Sequence, residues 1–158
     1  MDYLLVKWLH VMSSTVLFGT GIGSAFYMFF TNRSRDARTI AEVTRRVVVA
    51  DWIFTAPTAV LQPLTGVYLA HMAGLSLWSP WIAWSIALYV LALACWLPVV
   101  WLQIGMSRMA RTAVQRKAPL PALFWRYHRW WTVLGALAFV AFLTIFYLMV
   151  VKPAVVTR

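Results

Sequence analysis

The chain has 158 residues, of which 63% are hydrophobic and 11% charged, with ten Trp and a formal net charge of +10. A water-soluble domain of that composition would expose apolar patches large enough to aggregate, so a soluble globular fold is excluded. The Lys and Arg lie in short segments between apolar runs, which is the pattern of membrane topology and argues against nucleic acid as a partner.

Apolar runs of about 18 residues or more, nearly free of charge, read as membrane-crossing helices. Four are present, at about 3–30, 47–73, 80–107 and 122–151, so the expected fold is an all-α integral membrane four-helix bundle in one domain. The N-terminus begins Met-Asp-Tyr without a basic n-region, and its apolar run is too long for a signal peptide; it is read as a retained helix. After the first span, Thr39 and Glu42 have capping-box spacing, predicting a short amphipathic helix that leads into the second span. Pro57 and Pro63 in the second span and Pro98 in the third predict kinks whose freed carbonyls need a partner from a neighbouring helix or a water. Ser79 and Pro80 are an N-cap and a first-position proline for the third span. The fourth stops just before Lys152-Pro153.

Orientation follows from the basic residues. The first loop carries Arg33, Arg35, Arg38, Arg45 and Arg46, and the segment before the fourth span carries Arg108, Arg111, Arg116, Lys117, Arg126 and Arg129. The turn between the second and third spans carries none. The positive-inside rule then places both basic loops in the cytoplasm, against anionic lipid, and both termini in the periplasm of a bacterial inner membrane. Trp78, Trp81 and Trp84 are expected in the outer aromatic belt, and Trp125, Trp130 and Trp131 in the inner one.

Polar groups inside spans are costly and face the bundle interior. Helical steps of three and four give one semi-polar stripe per span: Lys7, His10, Ser14, Gly21 and Ser24; Asp51, Thr55, Thr58 and Gln62, continued by Gly66; Ser85, Tyr89, Trp96 and Gln103; His128, Thr132 and Gly135. For the small and hydroxylic members the plain expectation is helix packing, with close backbone approach and hydroxyls bonding across helices.

His10 stands out. It lies about 10 Å from the start of the first span, where a neutral imidazole needs a hydrogen-bond partner or a metal. An axial haem ligand between facing helices is one reading, and a helix-end anchor shared with Lys7 is the other. His71 lies at a similar depth and is a candidate second ligand, although it is half a turn from the Gln62 stripe. Lys7, Ser14 and Tyr68 would line the same group. His128 sits at the opposite end of the bundle and reads as an interfacial anchor. Asp51 is expected to pair with an Arg of the basic loop, the alternative being a proton-handling role. Gln62 beside Pro63 either lines a small-molecule site or satisfies the carbonyls that the proline frees. The lone Cys95 rules out an intramolecular disulfide and a covalent CxxCH haem, and four acidic residues leave little room for paired-carboxylate chemistry.

KWLHVMSS, GIGSAFYMF, DWIFTAPTAVLQPLTG, WLPVVWLQI and YHRWW together resemble a family of small four-spanning predicted bacterial integral membrane proteins, domain of unknown function 2269, over the whole chain. That resemblance implies a fold and a membrane location. The Lys7-x-x-His10 opening and the glycines after it are also similar to the first helix of the small haem-binding membrane protoporphyrinogen oxidases. This second resemblance implies haem b, with His10 at the position of that family's functional histidine. It also implies a lysine in a later span, but here Lys117 is in a loop and Lys152 at a span's end. The resulting expectation is b-type haem binding and electron transfer with a quinone or porphyrin, in a monomer or homo-oligomer. The alternatives are a non-enzymatic membrane subunit or assembly module, and an oligomeric small-molecule transporter centred on Gln62 and Pro63.

Overall fold

The computed structural model describes residues 2–153 and is all-helical over them. The elements are α1 (Tyr3–Arg33), α2 (Ala37–Ala50), a π-helical turn (Asp51–Thr55), α3 (Ala56–Met72), α4 (Pro80–Gln115) and α5 (Ala122–Val151). α2, the π turn and α3 form one continuous rod, so four helices are long and apolar enough to cross a membrane. Large apolar side chains such as Trp8, Phe26, Leu64, Leu97 and Val150 point outward, as lipid-facing positions do.

Local chemistry sets the boundaries. Asp2 caps α1 by accepting from the Leu4 N–H. The α2 cap is Asp36 and not the expected Thr39–Glu42 box. Its carboxylate accepts from the backbone N–H groups of Arg38 and Thr39 and from the Thr39 hydroxyl. Those donors, the Thr39 hydroxyl foremost, hold the Asp36 carboxyl below its ordinary value. Glu42 instead pairs with Arg45 and Arg46 at 2.9 and 2.8 Å along one face of α2. α3 ends in a Schellman motif: Gly74 takes φ +65°, its N–H reaches the His71 carbonyl, and the Leu75 N–H reaches Ala70. α4 ends the same way with Lys117 in the left-handed position, φ 51°. It runs past the expected end near Ser107 because Met106, Ala110 and Ala113 continue a buried stripe beyond the purely apolar stretch.

The expected proline distortions take specific forms. The π turn lies directly ahead of Pro57, and the Ala56 N–H bonds back to Asp51 across five residues. Pro63 has no N–H for the Ala59 carbonyl. The Tyr89 hydroxyl of α4 donates to that carbonyl at 2.5 Å, which is the neighbouring-helix partner that a proline in a span requires.

Packing is uneven along the bundle. α4 lies against α5, α2 against α4, and α1 against the α2–α3 rod, while α1 and α5 meet only sparingly. The dense core is at the end that carries the basic loops, where Met28, Ile40, Met106, Ala110 and Phe124 are fully buried. Toward the middle the helices separate around a cavity of about 430 Å³.

Candidate functional site

Two polar sites emerge, one between α1 and α3 and one at the floor of the cavity.

The first is built on His10. Its Nδ1 lies 2.7 Å from the Thr65 hydroxyl, and its backbone carbonyl accepts from the Gln62 amide at 2.9 Å. The ring rests on Gly66, where a Cβ would sit 3.3 Å from His10 Cε1, so glycine here permits the close approach. The Thr65 hydroxyl has one proton and donates it to its own helix, to the Leu61 carbonyl at 2.7 Å. With that proton on the Leu61 carbonyl, Thr65 has a lone pair free to accept from His10 Nδ1–H. That pairing belongs to the tautomer with its lone pair on Nε2; Thr65 donating to Nδ1 belongs to the other. Lys7 is exposed one turn away, and Ser14, one turn on the other side, is half-buried with its hydroxyl bonded to the Val11 carbonyl. Tyr68 is half-buried one turn beyond Thr65.

The structure does not bring His71 to this site. It is exposed and lies half a turn around α3 from Gln62, the residue that reaches His10. No group of three or more His, Cys, Asp or Glu side chains that could hold a metal ion occurs among the described residues. Of the two expected ligands, only the His10 imidazole lies at this site. Gln62 binds the first helix to the third, and it does not line the cavity.

The second site is where the four stripes converge. Gly21 and Ser24, Asp51 and Thr55, Tyr89, Trp96 and Gln103, and Thr132 and Gly135 all line the cavity, as four facing polar stripes require. Its walls are otherwise apolar. Among the described residues Asp51 has no Arg partner, contrary to the expected ion pair: the only ion pairs are those of Glu42. The π turn instead aims Asp51 inward, where one carboxylate oxygen accepts from Thr55 at 2.9 Å. The Gln103 amide lies beside that carboxyl without completing a hydrogen bond in this geometry. Trp131 is not a belt residue: it is buried under His128, whose ring stacks on it at 5.8 Å. His128 in turn meets the Asn32 amide at 3.1 Å, tying α5 to α1.

Two packing expectations change. The hydroxyls of Ser13, Ser14, Thr58, Ser85 and Thr132 bond to carbonyls three or four residues back in their own helices, and not across helices, because those carbonyls are always within reach. Gly21 and Gly135 do not mediate close helix approach either: a Cβ at either would meet nothing within 4 Å, since both face the cavity.

The profile of the family described as "Predicted integral membrane protein (DUF2269)" matches residues 4–153. The chain belongs to that family. No curated protein and no solved structure matches it. That description agrees with the four helices long and apolar enough to cross a bilayer. Thr65, Asn32 and the indole of Trp131 were not singled out from the sequence; the one signal for Thr65 was its place a turn after Gln62 and next to Gly66 on the same stripe.

Proposed function

We propose that this DUF2269 protein binds b-type haem through His10 and works in electron transfer. The observation that supports the reading is the Thr65 hydroxyl 2.7 Å from His10 Nδ1: with Nδ1–H donating to it, the Nε2 lone pair is left for a metal. A ligating histidine held by a hydrogen bond to its other ring nitrogen is the arrangement that fixes both tautomer and ring orientation. Haem supplies a one-electron couple when bound. The chain's own residues position the site: Gly66 admits the ring and Gln62 fixes the His10 backbone, while Lys7 would hold propionates at the helix end and Ser14 and Tyr68 would line the group. A membrane-soluble quinone or a porphyrin is the exchange partner suited to this location. The setting is a bacterial inner membrane with the basic loops on the cytoplasmic side against anionic lipid, and a homo-oligomer would cover the exposed side of the site.

The test is an absorbance spectrum of detergent-purified protein from haem-replete cells, air-oxidised and then dithionite-reduced. A Soret band with sharp reduced α and β bands is expected, and His10→Ala should abolish it. Thr65→Val should weaken haem retention about 10-fold or more, as loss of such a supporting bond does. His71→Ala should leave the Soret band in place. A colourless wild-type protein, or a spectrum unchanged in His10→Ala, would overturn the assignment.

A further inference from the structure

We infer that the central cavity binds a long-chain amphiphile whose head group donates hydrogen bonds and carries no negative charge. The cavity is separate from the His10 site and does not include it. Its volume of about 430 Å³ lies in the range of small-molecule sites. It is also long: its α4 wall runs from Tyr89 to Gln103, about 21 Å at the helical rise, and its α5 wall from Trp131 to Phe142, about 16 Å. The Tyr89–Phe142 half is aromatic and aliphatic, and suits an alkyl or prenyl chain.

The floor is polar and incomplete. Asp51, Gln103 and Trp131 are 4%, 3% and 5% exposed. Asp51 Oδ2, Gln103 Oε1 and Trp131 Nε1 each lack a hydrogen-bond partner among the described residues. Buried polar atoms are nearly always paired, and three unpaired at the floor of one cavity point to a group that arrives with the ligand. Two of the three are acceptors, so the head must donate. One belongs to a carboxyl with no basic partner among the described residues, so an anionic head would find no counter-charge there. A hydroxyl answers one acceptor and the indole, since it donates to the first and accepts from the second. An ammonium answers the two acceptors, and pairs with Asp51 when that carboxyl is ionised. The shared chemistry is a donor head on a long apolar tail, and the two sources differ in how much they need the Asp51 charge.

The probes are radiolabelled dodecan-1-ol, dodecylamine and dodecanoate, with binding read by scintillation proximity on the full chain in phosphatidylcholine nanodiscs. Saturable binding is expected for the alcohol, the amine or both, at least tenfold tighter than for dodecanoate. Gly135→Phe fills the cavity where a Cβ meets nothing within 4 Å, so it should fold normally and lose that binding. Asp51→Asn should lower amine binding about tenfold if an ammonium is the head, and alcohol binding less if a hydroxyl is. Equal binding of all three probes, no saturable binding of alcohol or amine, or undiminished binding in a helical, monodisperse Gly135→Phe would each overturn the proposal. Because neither variant touches His10, a failure here is separable from a failure of the haem reading.

Discussion

Gly66→Leu is expected to unseat His10 and to destabilise the pairing of α1 with α3. Three interactions share one turn at this point: Thr65 on Nδ1 at 2.7 Å, Gln62 on the His10 carbonyl at 2.9 Å, and the bare Gly66 backbone under the ring. A methyl group at 66 would meet Cε1 at 3.3 Å, so Gly66→Ala is absorbed by a shift of a few tenths of an ångström. A leucine cannot be absorbed that way and must push the imidazole off Thr65. Overpacking of this kind costs about 1–3 kcal/mol, and each interhelical hydrogen bond lost inside a membrane adds about 0.6 kcal/mol. The midpoint of an SDS unfolding titration should fall, and under the proposed haem binding the Soret absorbance should fall with it. Gly19→Leu is the control, because a Cβ there meets nothing within 4 Å. Equal stability and equal absorbance for the two variants would mean that Gly66 does not set the ring's position.

The four spans were legible because apolar length is a coarse signal that packing cannot override: the starts at Pro80 and Ala122 and the end at Val151 fall where composition puts them. The stripes were legible in part: a helix fixes which residues share a face, and a section of each face lines one cavity, while His10, Gln62, Ser85 and His128 lie outside it. What did not show was pairing. Nothing in the sequence distinguishes Asp51 bonded to Thr55 from Asp51 paired with an Arg, because the choice is made by a π turn that adds a residue to one helical turn. Pro57 hints at an irregularity without saying which kind. Trp131 read as a belt residue because Trp130 and Trp131 are adjacent, yet adjacent helical positions face 100° apart. Trp130 is exposed and Trp131 is buried. Thr65 was missed because a lone threonine beside a glycine is common, and its importance comes from a histidine 55 positions away in sequence.

Phe124→Ala is expected to be the most destabilising single truncation among the aromatic residues, and its contrast with Phe139→Ala tests what holds this bundle together. Phe124 is 0% exposed and lies among Met28, Ile40, Met106 and Trp131, with Trp125 edge-on at 5.1 Å. In a water-soluble core such a truncation costs about 3–5 kcal/mol, part from transfer out of water and part from the cavity left behind. Inside a bilayer the transfer part shrinks, since lipid chains are as apolar as the core, while the lost dispersion contacts remain. Phe124 sits at the start of α5, close to the basic loop, so a share of the transfer part persists; about 3 kcal/mol is expected. Phe139 stacks on Phe18 at 5.6 Å but is 41% exposed and borders the cavity, so its removal enlarges a space that already exists. Its truncation should cost about 1 kcal/mol, the scale of one aromatic pair. SDS unfolding midpoints of the two variants decide the matter. Equal losses would mean that the open middle of the bundle is as tightly packed in the membrane as its basic end, and a site between the helices would then have no room. The expected inequality places stability at the basic end and leaves the middle of the helices free to surround a ligand.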